Sequence, residues 1–228
     1  MEACIMYRPF EEFHPAGRFI SVIGSGGKTT FLRFWADRLP GTVILTTSTH
    51  ILPFPGIPLV DASPANGPRV LPELRAALAE SRVVCLGCPG ENGKLSSPES
   101  VLPFASLLSE ADYVLAEADG ARRLPLKAHR PWEPVIPACS DVTVCLIGAS
   151  GIGKPVAEVC HRPDRFASLA GIPEDAPASP EAIAAVLNQE ALADLYLVNQ
   201  ADMSGPADVR RLCDLIHWEA FPVSLAAP

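Results

Sequence analysis

Short, solid runs of apolar residues alternate along this chain with stretches whose apolar positions recur at helical spacing. Residues 18–23 (RFISVI), 42–45 (TVIL), 82–86, 113–116, 141–147 (DVTVCLI), 195–198 and 221–225 (FPVSL) read as strands. Between them, 29–38, 72–80 and 207–218 read as helices. Ser97-Pro98-Glu99 and Ser179-Pro180-Glu181 each offer a capping serine, a proline at the first helical position and an early acid, and the first of these helices is expected to run to about Leu108. Strands that are apolar throughout need cover on both faces. The pattern therefore predicts an α/β fold of three layers, a mainly parallel sheet flanked by helices, P-loop NTPase-like. All of 1–228 reads as one such domain, with a functional proline- and arginine-rich loop insertion around 120–137 that is too long for a mere connector.

Composition narrows the classes. Proline supplies 24 of 228 residues, about twice its usual share, which implies many ordered loops. Lysine and arginine number 18 against 26 acids, a net charge of −8, so a general nucleic-acid binder or a polybasic membrane anchor is not expected. No apolar run approaches the roughly 18–20 residues of a membrane span. The N-terminal MEACIMYRPFEEFHP carries acids where a secretory signal carries basic residues, so the expected location is cytoplasmic. Seven scattered cysteines (Cys4, Cys85, Cys88, Cys139, Cys145, Cys160, Cys213) suggest a reduced chain. Cys85 and Cys88 form a lone CxxC, readable as a redox pair or as two buried thiols at a strand end.

The sharpest motif is Gly24-Ser25-Gly26-Gly27-Lys28-Thr29-Thr30, between a buried strand and a helix. Glycines let backbone N–H groups turn toward an anion and the helix N-terminus adds partial positive charge. Lys28 can reach terminal phosphates, and the Thr29 hydroxyl can ligate Mg²⁺. The longer G-x-x-x-x-G-K-[ST] pattern would need glycine where Val22 stands, so this is a compact variant. Gly148-Ala-Ser-Gly-Ile-Gly-Lys154 fits the first part of that pattern, but Pro155 replaces the hydroxyl, and a strand-end turn is expected there.

Hard cations want oxygen ligands. Glu117 and Asp119 follow the fourth strand, and Glu117 with Gly120 has D-x-x-G spacing with Glu in place of Asp. Thr46-Thr47-Ser48-Thr49-His50 follows the second strand, so a hydroxyl such as that of Thr47 could meet Mg²⁺ or a γ-phosphate, with His50 beside it. Asn199-Gln200-Ala201-Asp202 resembles N-K-x-D, whose Asp accepts from guanine. Gln200 departs from the Lys, and Ser224 falls where a backbone contact to the base is expected. The nucleotide is therefore GTP or ATP, leaning to guanine. Arg122, Arg123 and Lys127 form a basic cluster for phosphate or an anionic substrate, and His161-Arg162-Pro163-Asp164 could be a ligand loop.

Taken in order, GSGGKTT, TTSTH, EADGARRLPLKA, EPVIP and the late NQAD resemble the YqeC family, accessory proteins for selenium-dependent molybdenum hydroxylases, from about Phe19 to Leu225. The resemblance implies that residues 24–30 are the nucleotide loop. It makes Glu117, Asp119, Gly120, Leu124–Lys127 and Glu133–Pro137 family-defining positions, so Glu133 joins the candidates for substrate or effector contact. The family pattern has His just before its Glu-Pro and Pro after Lys-Ala; Trp132 and His129 stand there. The expected function is a Mg-dependent NTPase assisting hydroxylase maturation, with Lys28, Glu117 and Asp119 as the catalytic set. Its expected partner is a molybdenum hydroxylase or a selenium-cofactor intermediate. The alternatives are an ATP-dependent transferase or ligase, since the same motif spacing occurs in Mur-type ligases, and a non-catalytic cofactor carrier.

Overall fold

The computed structural model of the chain describes residues 17–225; Cys4 and the acidic N-terminal segment lie outside them. Strand β1 (Phe19–Gly24) leads through the glycine loop into α1 (Lys28–Ala36), then β2 (Val43–Thr47), β3 (His50–Ile51), β4 (Leu59–Asp61), α2 (Gly67–Glu80), β5 (Val83–Pro89), β6 (Leu95–Ser96), α3 (Phe104–Leu107) and β7 (Tyr113–Glu117). The second half runs through β8 (Leu126–Lys127), β9 (Val142–Gly148), α4 (Val156–Val159), β10 (Cys160–His161), α5 (Pro163–Ala170), α6 (Pro180–Glu190), β11 (Leu195–Asn199), α7 (Pro206–Leu215) and β12 (Glu219–Pro222).

The main sheet is ordered β12-β11-β9-β1-β7-β2-β5-β6-β3, with β4 also paired to β5. Its pairings are parallel except where β6 meets β5 and β3. All six residues of β1 are buried, as a strand covered on both faces requires. Ile20 and Val22 point to the face covered by Phe31, Leu32 and Trp35 of α1. Phe19 points the other way toward α2 and α3, and Ile23 toward α5, α6 and α7. The expected α/β sheet flanked by helices is present. Among the described residues no helix is long and apolar enough to cross a membrane.

Local departures have physical causes. The helix expected from Ser97 to Leu108 shrinks to α3, because Pro103 removes an amide donor and bars Leu102 from the helical region. Glu99 instead accepts the Phe104 N–H at 2.6 Å, capping the shortened helix. Where a ligand loop was expected, Pro163 and Asp164 instead open α5 with a Pro-first, acid-early start. The last strand is β12, two residues earlier than its apolar run, because it pairs in register with Leu195–Val198. The 120–137 insertion contains β8, which pairs with β10 in a separate parallel ribbon. Cys85 and Cys88 are free and buried, three apart on β5, and therefore on opposite faces in two different core clusters. Two thiols so placed cannot act as a CxxC redox pair.

Candidate active site

Loops after β1, β7, β9 and β11 meet at the carboxyl edge of the sheet. From β1 the chain first crosses to β2, one place beyond the neighbouring slot, which β7 later fills; β9 then pairs on the other side of β1. Ligand crevices form where chain direction reverses in this way.

The loop after β1 is held in a tight bend. Gly24 and Gly26 have φ of +85° and +81°, and a Cβ on Gly26 would lie 2.4 Å from the Gly148 backbone. The turn after β9, Ala149–Gly151, thus serves as a floor for the loop, as a strand-end turn rather than a second phosphate loop. Ser25 donates its amide to Leu146 O at 2.8 Å and its hydroxyl to Pro125 O at 2.7 Å. Asn199 donates Nδ2–H to Gly26 O at 2.8 Å and accepts the Leu225 amide at 3.0 Å. The first helical bond is Phe31 N–H to Gly27 O. Among the described residues, the amides of Gly26, Gly27, Lys28, Thr29 and Thr30 meet no acceptor, leaving a cradle of donors at the N-terminus of α1.

Facing that cradle are Glu117, which ends β7, and Asp119, two residues beyond it, and their surroundings push them apart. Asp119 is buried and crowded with donors. Its Oδ2 accepts the Gly24 amide at 2.9 Å, Lys127 Nζ at 3.0 Å and His129 Nε2 at 2.8 Å, while Lys28 Nζ lies 2.9 Å from Oδ1. Burial opposes its ionisation, yet Lys28, His129 and Lys127 hold the carboxyl well below the usual range. Glu117 is also buried but poorly partnered, with Lys28 Nζ at 3.8 Å and Thr29 Oγ1 at 3.5 Å, and burial pushes it up to about 7. A pair of acids separated in this way marks one as a fixed anion and the other as the group able to exchange a proton near neutrality.

Lys28 itself is buried and folded back, donating to Gly24 O at 2.7 Å. Burial disfavours its charge, but Asp119 and Glu117 outweigh burial and raise its pKa. Thr29 is exposed beside Glu117. The donor set suits Mg²⁺: Thr29 Oγ1 and Glu117 Oε2 are hard oxygens 3.5 Å apart, while Asp119 Oδ1 is taken by Lys28 Nζ at 2.9 Å. Among the described residues no group of three His, Cys, Asp or Glu could hold a metal.

A family model described as YqeC protein matches residues 20–164. The chain belongs to the YqeC family. A curated relative, uncharacterized protein YqeC of Escherichia coli (strain K12), is 34% identical over 165 residues, 69% of this chain and 62% of the relative. The chain thus spans less than two thirds of that relative's length. No solved structure matches. The stretch shared with the YqeC model contains the glycine loop, both acids and the 120–137 insertion, whereas Asn199 and Asp202 lie beyond it.

The remaining candidates of this YqeC-family chain fall into four groups. Thr47 is at the site but committed, its hydroxyl donating to Glu117 O at 2.8 Å and accepting the Thr49 amide at 3.0 Å, so it fixes the acid's backbone instead of presenting a free ligand. Lys127 and Glu133 are not open anchors either. Lys127 is buried between Asp119 and Glu133, and Glu133 also takes both guanidinium nitrogens of Arg162, whose hydrogen bonds hold it down to about 2. Arg122 and Arg123 are exposed at the rim, and His50 is exposed on β3 opposite Ser96, sharing no hydrogen bond with the glycine loop among the described residues. Asp202 and Ser224 bond each other at 2.7 Å on the exposed side of Asn199.

Two participants escaped the sequence. His129 bridges Asp119 and Glu190, its Nδ1 lying 2.7 Å from Glu190 Oε2, and a ring bonded to a carboxylate at each nitrogen is an imidazolium. Burial opposes that charge, but the two carboxylates raise the pKa. A histidine among prolines was a visible signal; Glu190, at the end of α6, gave none.

Proposed function

We propose that this YqeC-family protein binds a nucleoside triphosphate, GTP or ATP, in the loop from Gly24 to Thr30 and hydrolyses it with Mg²⁺. The observation that carries the reading is the open row of amides from Gly26 to Thr30, set against Lys28, Thr29 and the two carboxylates at and just beyond the end of the neighbouring strand. On binding, Lys28 leaves Gly24 O and Asp119 for the phosphate oxygens. Asp119 can lose it because Lys127 and His129 remain, so the fixed charge of the loop's support is unchanged. Mg²⁺, held by Thr29 and Glu117 directly or through water, would neutralise charge on the terminal phosphates. Because Asp119 is saturated with donors, Glu117 is the better placed of the two acids to orient water or accept its proton.

From the family resemblance we further infer that the protein assists maturation of a selenium-dependent molybdenum hydroxylase, with that enzyme or a selenium-bearing cofactor intermediate as partner. A groove of about 470 Å³ lined by Ser48, Glu99, Val135 and Cys139 favours a second reading, phosphoryl or nucleotidyl transfer to an acceptor. Phosphate release separates these readings. Release from nucleotide and Mg²⁺ alone supports the NTPase, release only with an acceptor supports the transferase, and binding without release indicates a carrier. Thr29→Ala should abolish the Mg²⁺ dependence of the release.

A further inference from the structure

Three of the six non-glycine residues with positive φ among the described residues are arginines: Arg122 (+49°), Arg123 (+62°) and Arg162 (+71°). Left-handed backbone at bulky residues persists only where surrounding contacts impose it, and it gathers at ligand clamps. Here the contacts are present. Leu124 N–H closes a turn on Ala121 O at 3.0 Å, and Lys127 Nζ anchors Gly120 O at 2.7 Å. Arg162 caps α5 and grips Glu133.

The charges around this turn leave a remainder. Asp119, Glu117 and Glu133 face Lys28, Lys127 and Arg162, and Glu190 faces His129. Arg122 and Arg123 stand outside that lattice, exposed and without a carboxylate partner among the described residues, in a chain whose net charge is −8. The turn they stand on is tied through Gly120 O to Lys127, and His161 pairs in register with Lys127 across the β8–β10 ribbon. Burial, then the positive charges of Arg162, Lys127 and Arg122, push its imidazole down to about 4. A half-buried ring that stays neutral amid cations keeps one donor and one acceptor nitrogen, and neither meets a partner among the described residues.

We propose that Arg122, Arg123 and His161 form an anion site at the rim of the β8–β10 ribbon, for a small molecule that carries a phosphoryl or carboxylate group and a hydroxyl or amine. The arginines take the anion and the imidazole takes the neutral group. Lying three residues past Asp119, the site would hold a second substrate near the end of the phosphate chain. That last assignment rests on the nucleotide reading, whereas the anion site does not.

The test follows the His161 ring signals by NMR, assigned with His161→Gln, while inorganic phosphate or citrate is added. Wild type, Lys28→Ala and Arg122→Asn/Arg123→Asn are compared, asparagine being chosen because it tolerates left-handed backbone. Saturable shifts are expected in wild type and in Lys28→Ala, with about tenfold or greater weakening in the double variant. Mg–GTP and Mg–ATP affinities of the double variant should stay within about twofold of wild type. Absence of a saturable shift in wild type, or its persistence in the double variant, overturns the site. Equal loss of nucleotide affinity overturns it too, by giving the arginines to the nucleotide's own phosphates. If wild type binds no nucleotide but the phosphate results hold, the anion site stands and the second-substrate assignment falls.

Discussion

Gly24 and Asp119, 95 residues apart in sequence, are joined by a 2.9 Å hydrogen bond from the loop amide to the carboxylate, and Asp119 also sits 2.9 Å from the Lys28 ammonium. One buried anion therefore sets both the shape of the loop and the resting position of its lysine. Asp119→Ala would leave Lys28 and His129 short of a counter-charge in the interior. It should cost about 3–5 kcal/mol of stability by denaturant titration, with Asp119→Asn losing less because it can still accept the Gly24 amide. Wild-type stability in Asp119→Ala would refute this role.

Glu117 makes stability depend on pH. Its carboxyl, ordinarily near 4.5, is pushed up to about 7 by burial, so the folded state prefers the protonated form. The stabilising contribution is full below about pH 4.5 and is lost as pH rises through 7, with an upper bound of about 3 kcal/mol. Chemical denaturation in EDTA from pH 5 to 8 should show this fall in wild type and not in Glu117→Gln. Parallel curves would contradict the assignment.

Asn199 tethers the last strands to the loop through Gly26 O and Leu225 N. Asn199→Ala should weaken nucleotide binding about tenfold, near 1.4 kcal/mol, with only a modest change in melting temperature. Unchanged affinity would show that the tether does not shape the cradle.

The base is tested at Asp202, whose carboxylate takes the Ser224 hydroxyl on an exposed edge. Asp202→Asn should weaken GTP more than ATP in a competition titration. Equal effects on both would remove the case for guanine.

The glycine loop and the two acids were legible because local chain chemistry dictates them: glycines where backbone must turn, and polar residues where an apolar strand ends. The sheet was legible for the same reason, since β1, β7 and β9 are mostly apolar, broken only by Ser21 and Thr143 and by Glu117 at the end of β7. Sequence could not say how the acids differ. Asp119 and Glu117 stand two apart on one strand end, and only the convergence of Lys28, Lys127 and His129 separates their proton affinities. Lys127 and Glu133 looked like surface anchors because Arg162, which grips Glu133, is brought there by β8 meeting β10, a contact of four residues too short to leave a hydrophobic pattern. Glu190 entered the site from a helix end 61 residues beyond His129, with no local sign.

The central claim is that Lys28 and the amides around it hold a nucleotide's phosphates. Calorimetric titration of Mg–GTP and Mg–ATP into wild type and Lys28→Ala tests it, with circular dichroism confirming the variant's fold, since Asp119 keeps Lys127 and His129. Binding by wild type, weakened about 100-fold or more in the variant, is the predicted result. Equal affinities in the two proteins, or no binding by wild type, would contradict the account.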